Sequence, residues 1–438
     1  MAGGTWSTQS KVRPGVYVNF DSAPAVLGTL GERGVASVAL PLAWGEPQTI
    51  LAIHAGEDVK ERLGYDLSAP QLLLVREALK RSRTLLLYRL NVGTKATATH
   101  GALTATAKCG GHRGNDLAVA VRTNVDEETL FDVVTFVDDE AVDTQTVADL
   151  GELAGNAWID FAGAGAPTPT AGVPLTGGAD GNVSNADHTS YLAAIELQDF
   201  QTLALVSDDA ALKATYASFA RRLREDEGRK IQVVLANYPT ADYEGVISVK
   251  NGVKLAGGTT IPARQATVWV AAATAAAGAN ESLTYRAYDG AVDVDERYPT
   301  SQIEAALLAG EFLFVPSNGR AVVEQDINSF TSFGPGKGKH FRKNRALRVL
   351  DGLANDWKRI FESYYIGKAN NDADGRNLFR KECVKVVESY QGMNAVQNFD
   401  AQSDLSVLPG ADSDAVVVEA YIQPVDSIEK VYMKVKVG

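Results

Sequence analysis

Two short segments contain the residue types that hold phosphates or metal ions. Segment 334–340 reads GPGKGKH, and Gly-rich turns that end in Lys bind phosphates through backbone amides. The phosphate-loop spacing G-x-x-x-x-G-K is not met, because Phe333 stands where the first Gly is required before Gly338. We therefore interpret this segment as a flexible basic loop.

The second segment, 370–382, reads NNDADGRNLFRKE and resembles a calcium-binding loop. Asp372, Asp374 and Gly375 fit the third, fifth and sixth positions of such a loop. The twelfth position requires a bidentate Glu, but Lys381 occupies it. The missing carboxylate and the added ammonium favour a plain turn that is rich in Asn and Asp.

The other residues that could do chemistry are scattered along the chain. The five histidines include no pair at the i, i+4 spacing of a helical metal site, and no G-x-S-x-G motif occurs. Cys109 and Cys383 lack C-x-x-C spacing, so we expect two buried, reduced thiols. Asp138 and Asp139 are adjacent, but solvated turns explain such pairs. We predict no catalytic site, no metal and no cofactor.

One basic interval stands out in an acidic chain. The net charge of −12 disfavours nonspecific attraction to nucleic acid or anionic membranes. No acidic residue lies between Asp326 and Asp351, and the basic residues of this interval are Lys337, Lys339, Arg342, Lys343, Arg345 and Arg348. A solvated loop would explain them, but the interval leads into an amphipathic helix with a basic face. This arrangement favours contact with a flat anionic partner.

The elements that position these residues belong to several domains. The 438 residues suffice for about three domains, and 45% of them are hydrophobic. Segment 71–82 predicts an amphipathic helix, and 84–91 predicts a buried strand. From residue 95 to about 161, Thr-, Val- and Asp-rich strands indicate a mainly β insertion. Segment 162–182 is rich in Gly, Pro, Thr and Ala, which is typical of a solvated linker.

Strands and helices alternate after this linker, which favours an α/β layer with parallel strands. Segment 311–328 predicts a hairpin that turns at Ser317, Asn318 and Gly319. Apolar residues then recur at helical spacing from Ala346 to Tyr364, and a second helical segment covers 375–393. No run reaches the roughly 18 apolar residues of a membrane helix, and no secretion signal is evident at the start.

The two ends of the chain carry strand patterns. At the C-terminus, IEKVYMKVKVG alternates apolar with polar residues, and its apolar face consists of Val431, Met433, Val435 and Val437. Near the N-terminus, GVYVNF is a short strand in a polar arm, with Val16, Tyr17 and Val18 at its centre. Chain ends are usually frayed, so a strand that runs to the last residues needs a partner.

An ordered series of motifs along nearly the whole chain resembles the contractile tail sheath proteins of phages, especially the branch in PBSX-type defective prophages. The motifs are RPGVYVNF, GERGVASVALPLAWG, LGYD, LLLVREALKRSRTLLLYRLN, RGNDLAVAV, LTGGADG, EQDINSF, KHFRKNRALRVLDGLANDW, YIGKANNDADGR and VVVEAYIQPVDSIEKVYMKV. The resemblance implies a multidomain α+β and α/β fold. Its expected parts are an N-terminal arm (1–24), an α/β unit (25–94), an outward β-rich insertion (95–165), an α/β sheath domain (166–330), an inner tube-facing domain (331–427) and a C-terminal strand arm (428–438).

The resemblance also implies an activity. Such subunits stack helically as rings of six around a tail tube, bounded by baseplate and tail terminator proteins, and contract without nucleotide hydrolysis to drive the tube through an envelope. Terminal arms of two subunits add strands to a small sheet in a third. The six basic residues would face the tube, with no contact to nucleic acid and no membrane insertion. The particle would assemble in the bacterial cytoplasm and leave by lysis.

Two other functions remain open from the sequence. An α/β enzyme could use the Gly-rich loops around Gly177 or Gly336 to bind a phosphorylated ligand. A static tube or shell protein would share the assembly but not the contraction.

Overall fold

The computed structural model describes residues 2–4, 15–17 and 31–437 of the chain. The α-helices of this part are α1 (Lys60–Leu63), α2 (Leu73–Leu79), α3 (Asn185–Ile195), α4 (Ala210–Glu225), α5 (Ala263–Ala276), α6 (Thr300–Leu308), α7 (Asn344–Tyr364) and α8 (Ala373–Gly392). The strands are β1 (Ala2–Gly4), β2 (Gly15–Tyr17), β3 (Val35–Leu40), β4 (Ile50–His54), β5 (Thr84–Arg89), β6 (Thr97–His100), β7 (Leu103–Ala107), β8 (Leu117–Thr123), β9 (Phe131–Val137), β10 (Glu140–Val147), β11 (Ile159–Ala162), β12 (Thr170–Pro174), β13 (Thr202–Ala204), β14 (Gln232–Ala236), β15 (Val246–Val249), β16 (Val253–Leu255), β17 (Thr260–Ile261), β18 (Ala291–Val294), β19 (Glu311–Phe312), β20 (Phe314–Ser317), β21 (Arg320–Val323), β22 (Leu405–Pro409) and β23 (Val416–Ala420).

A seven-stranded sheet forms the centre of the subunit, in the order β19-β15-β14-β13-β3-β5-β4. All neighbours are parallel except β4, which runs antiparallel to β5. Helices α2 and α5 cover one face, and α3 and α4 cover the other. Strands buried on both faces contain continuous apolar runs, as residues 85–88 of β5 and 233–236 of β14 do. The predicted α/β layer is confirmed, and it also includes β3, β4 and β5 from the segment expected to form a separate α/β unit.

A β-sandwich is inserted between β5 and α3. Its two sheets have the orders β10-β9-β8-β12 and β11-β7-β6, and their facing sides enclose an apolar core. The expected solvated linker at 162–182 is wrong for the part that contains β12. This strand pairs with β8, and the following Leu175 is fully buried in the sandwich core.

The sandwich is tied firmly to the central layer. The buried Arg113 guanidinium donates to the Gly64 carbonyl oxygen at 2.8 Å and to both Asp138 carboxylate oxygens at 2.5 and 2.6 Å. It also lies over the Tyr65 ring, 4.3 Å from its centre. Where the chain enters and leaves the sandwich, the Thr94 amide donates to the Ala179 carbonyl oxygen at 2.8 Å.

The C-terminal part consists of α7, α8 and the β22–β23 hairpin. The predicted long helix and second helix are confirmed as α7 and α8, which pack through an apolar core shared with the hairpin. The predicted turn between β20 and β21 is also confirmed. Asn318 and Gly319 both have positive φ there, at 50° and 70°, as a tight hairpin turn requires.

Candidate assembly surfaces

The segments that resembled ligand loops have structural roles. In the calcium-like segment, the Asp372 carboxylate accepts from the Gly375 amide at 2.8 Å and caps the start of α8. The plain-turn interpretation therefore holds only for residues 370–372, because residues 373–382 belong to α8. In the glycine-rich segment, Lys337 forms an ion pair with Glu244, and Gly338 precedes a single short 3-10 helix, Lys339–Arg342. Within residues 31–437, no three His, Cys, Asp or Glu side chains are grouped as a metal site would require.

The cysteines and one histidine belong to the interior. Burial raises the pKa of the Cys383 thiol to about 12, and it also raises the pKa of the half-buried Cys109. The prediction of a buried thiol is therefore met fully at Cys383 and only partly at Cys109. His188 Nδ1 lies 2.7 Å from the Tyr216 hydroxyl inside the core. None of the helices in the described part of the chain is long and apolar enough to cross a membrane.

The six predicted basic residues do not share one surface. Arg348 is only 2% exposed, and its guanidinium donates to Asp326 at 2.6 Å and to the Glu281 carbonyl oxygen at 2.7 Å. The expectation that Arg348 belongs to a basic face is therefore wrong in this conformation. Sequence spacing placed it on a helix but could not reveal that Asp326, 22 residues earlier, faces it in the core.

Two more of these residues are matched by carboxylates within the chain. Lys337 pairs with Glu244, and Lys343 pairs with Glu429 and lies 3.7 Å from an Asp426 oxygen. Both lysines are only partly exposed.

The remaining three, Lys339, Arg342 and Arg345, have no ion pair among the described residues. Burial lowers the pKa of Arg342, and no carboxylate offsets it. Lys339 and Arg342 line an open cleft of about 760 Å³, together with the apolar side chains of Leu308 and Phe333 and the carboxylates of Glu304, Glu324 and Glu429. This is the part of the basic interval that is available to a partner.

The C-terminal arm, residues 428–437, has no regular secondary structure. Val431, Met433, Val435 and Val437 are between 68% and 92% exposed, although their alternation predicts a strand. A strand needs a paired edge, and within the described chain no edge is paired with this segment. The arm thus presents an apolar stripe to solvent.

The small sheet β22–β23 has only two strands, so each strand keeps a free edge within the described chain. Beside β23 lies an apolar groove of about 290 Å³. Its lining comprises Val416 and Val418 from β23 and, from the two helices, Trp357, Phe361, Phe379, Cys383 and one charged residue, Lys358. This groove has no counterpart among the sites predicted from the sequence. The run VVVEA, in which Val416 and Val418 share a face, was the available signal.

The N-terminal strand prediction is only partly within the described residues. Strand β2 contains Val16 and Tyr17 and pairs in parallel with β1, whereas Val18 lies outside the described residues. The predicted arm 1–24 is described only at residues 2–4 and 15–17.

Four family models match successive parts of this chain. They are the tail sheath protein Gp18 domain III N-terminal region (33–90), the phage tail sheath protein beta-sandwich domain (91–180), the phage tail sheath protein central domain (181–329) and the phage tail sheath C-terminal domain (336–438). The chain belongs to the phage tail sheath protein family. The resemblance inferred from the motif series is thereby confirmed.

Individual relatives agree with this assignment. The phage-like element PBSX protein XkdK of Bacillus subtilis (strain 168) is 37% identical, and the match covers 100% of both chains. The sheath tail protein from Desulfitobacterium hafniense, known from a crystal structure, is 58% identical in sequence. Its structure matches with a TM-score of 0.88 over 96% of this chain and 99% of that one. The anti-feeding prophage helical sheath in its contracted state shares the fold, with 12% identity and a TM-score of 0.58 over 97% and 99% of the chains. The multidomain α+β fold class is confirmed.

Proposed function

We propose that this protein polymerises as rings of six subunits, stacked helically around a tail tube, and that the assembly contracts without nucleotide hydrolysis. The observation that carries the proposal is the exposed, alternating C-terminal arm in a subunit whose β22–β23 sheet has free edges. An extended segment that adds to a sheet edge gains main-chain hydrogen bonds, and pockets for alternate side chains give specificity. Membership of the sheath family and the shared fold with a contracted sheath support the same function.

The acceptor for the C-terminal arm is the free edge of β23 in another subunit. Val431, Met433, Val435 and Val437 would face the groove beside β23, where Trp357 and Phe361 form part of the floor. Exposed apolar residues on the arm and an apolar groove on the hairpin are complementary. The N-terminal arm, with Val16, Tyr17 and Val18, would supply a further strand to such a sheet.

Contraction then depends on differences between interfaces rather than on a nucleotide. A transition is driven by whatever contacts are stronger in the final state. The arms keep neighbours joined while the central layers reorient. The protein would act as a structural subunit and not as an enzyme.

The face towards the tube is the basic region that has no internal partner. Lys339, Arg342 and Arg345 are its members, because Lys337 and Lys343 already pair with Glu244 and Glu429. The β-sandwich would lie on the outside of the particle. Baseplate and terminator proteins would cap the stack, which would assemble in the bacterial cytoplasm and leave by lysis as part of a phage or phage tail-like particle.

Removal of residues 428–438 tests the proposal. The shortened protein should remain folded and soluble, because the apolar side chains of the arm are exposed and only Glu429 is held by the rest of the subunit, but it should form no sheaths in electron micrographs. The full chain under the same conditions is the control. Sheaths of normal length from the shortened protein would overturn the strand-donation model, and so would a shortened subunit that unfolds.

A further inference from the structure

One residue of the exposed C-terminal arm is held tightly by the subunit itself. Ile428 and Lys430 are exposed, yet the Glu429 side chain between them is only 10% exposed. Its Oε1 accepts from the Thr284 hydroxyl at 2.9 Å, and its Oε2 accepts from Gln325 Nε2 at 2.7 Å and from Lys343 Nζ.

The three donors form a binding site for the Glu429 carboxylate. They come from separate stretches of the chain: Thr284 follows α5, Gln325 follows β21, and Lys343 immediately precedes α7. The Thr284 hydroxyl is oriented by the Asp326 amide, which donates to its oxygen at 3.0 Å. A side chain that accepts from donors in three separate segments has a fixed position in the subunit.

The electrostatics agree with the geometry. Burial of the Glu429 carboxyl opposes ionisation, but the hydrogen bonds from Lys343, Gln325 and Thr284 and the Lys343 charge outweigh it. The pKa of Glu429 is consequently lowered. Asp426 is a second carboxylate near Lys343, at 3.7 Å, and it is much more exposed than Glu429.

We infer that Glu429 is a positioning residue that pins the arm to its own subunit, so that only residues 430–438 can reach a neighbour. This inference rests on the proposed donation of the arm. Nine residues (438 − 429 = 9) span roughly 30 Å when extended, at about 3.3 Å per residue. Lys343 therefore serves the arm rather than the tube.

The pin sets the local concentration of the arm at its acceptor. Without it, the next backbone anchor is Val425, whose amide donates to the Ala395 carbonyl oxygen at 2.9 Å. The tether then grows by four residues (429 − 425 = 4), roughly 13 Å at about 3.3 Å per residue, and it loses its fixed direction. A longer, freely oriented tether lowers the effective concentration of the strand it carries.

The test uses the full-length variants Glu429→Gln and Gln325→Leu, with the exposed Glu388→Gln on α8 as the matched control. Hydrogen exchange of residues 425–430 is measured on the free subunit, and the protein concentration needed for sheath formation is measured by light scattering and microscopy. Both variants should exchange faster at 425–430 and keep the melting temperature of the subunit. Loss of hydrogen bonds to a charged group should raise the concentration needed for assembly about tenfold. The control should match the natural protein in both assays.

The charge swap that combines Glu429→Lys with Lys343→Glu should restore part of the protection and of the assembly. Unchanged exchange in both variants would overturn the inference, and so would faster exchange with an unchanged assembly concentration. If removal of 428–438 blocks assembly while Glu429→Gln assembles normally, the pin fails and strand donation stands. If the truncated protein assembles, strand donation itself fails.

Discussion

Arg224 and Asp351 form a two-pronged ion pair that joins α4 of the central layer to α7. The two guanidinium nitrogens lie 2.6 and 2.8 Å from the two carboxylate oxygens, and both side chains are almost completely buried. Burial alone would lower the pKa of Arg224, but the charge and hydrogen bonds of Asp351 outweigh this and raise it. Together with the Arg348–Asp326 pair, this contact fixes the C-terminal helices to the sheet.

Replacing Asp351 with Asn should therefore destabilise the subunit strongly. The change leaves the buried Arg224 charge without its partner, which costs about 3 to 5 kcal/mol in the free energy of unfolding. Urea denaturation of the unassembled protein measures this. As a control, Asp208→Asn breaks the exposed pair with Arg264 and should cost no more than about 1 kcal/mol. Equal effects of the two changes would show that burial of the ion pair is unimportant.

The groove beside β23 can be probed with a single charge. Val418→Asp should prevent sheath formation, because the carboxylate would face the apolar stripe of an incoming arm. The subunit should tolerate it, since Val418 is already exposed in the unassembled protein. The adjacent Val417→Asp points to the other face of the strand and is the matched control. Electron microscopy and subunit melting give the two readouts, and equal assembly by both variants would contradict the proposed acceptor.

The basic region should govern attachment to the tube. Reversing Lys339 and Arg345 to Glu should lower the yield of sheathed tubes while leaving subunit folding intact. Reversal of Lys254 and Arg320, which are exposed elsewhere, should have little effect. Exposed ion pairs contribute only about 0.2 to 1 kcal/mol each. Many such pairs, repeated from subunit to subunit, are therefore needed to hold the sheath in alignment with the tube. Salt at 1 M, where screening acts over about 3 Å, should mimic the reversal. Normal sheathing by the Lys339 and Arg345 variant at low salt would show that these residues do not contact the tube.

The Glu429 pin should be sensitive to acid. Its pKa is lowered from the ordinary value of 4.5, so the contact is fully stabilising above that pH and weakens as the pH falls through the lowered pKa. Asp426, which lies 3.7 Å from Lys343, is the other acid that faces it. Exchange at 425–430, corrected for the intrinsic effect of pH, should rise in acid. The Glu429→Gln variant lacks the titrating group and should show no such rise.

The β-sandwich should be dispensable for assembly. Thr94 and Ala179 are hydrogen bonded where the chain enters and leaves it, so a short turn can replace residues 95–178. Trp44, which packs against Trp158 with ring centres 5.3 Å apart, would become exposed and should be changed to Gln. We expect the shortened protein to form sheaths of smaller outer diameter in micrographs. If it fails to assemble although it folds, the sandwich belongs to an interface between subunits.

Local patterns in the sequence identified several elements correctly. The helical spacing from Ala346 to Tyr364 correctly predicted α7, and Asn318-Gly319 correctly predicted the hairpin turn. Both features depend on residues that are close together in the sequence. The burial of Leu175 could not be inferred, since its Gly- and Pro-rich surroundings match a linker as well as a strand that is stabilised by β8.

The candidate surfaces were harder to infer, because they depend on which distant residues meet. Arg348 and Lys343 look alike in sequence, yet the first pairs with Asp326 in the core and the second with Glu429 in the arm. The apolar face of the C-terminal arm was visible from its alternation, although its exposure in the single subunit was not. The pin at its root was not, because its donors come from three separate segments of the chain.

The position of that pin has a mechanical consequence. Lys343 directly precedes α7, a helix of 21 residues that is about 31 Å long at 1.5 Å per residue. Tension on a donated arm would therefore enter α7 at its first turn, in a subunit where Arg348 and Asp351 anchor the same helix to the central layer. The force would not pass through the β22–β23 hairpin of the same subunit, which has only to bind the arm of its neighbour. Each subunit would carry both a donated arm and an acceptor groove, joined by a stiff helix. The strength of the sheath under load would then depend on α7 and its buried ion pairs.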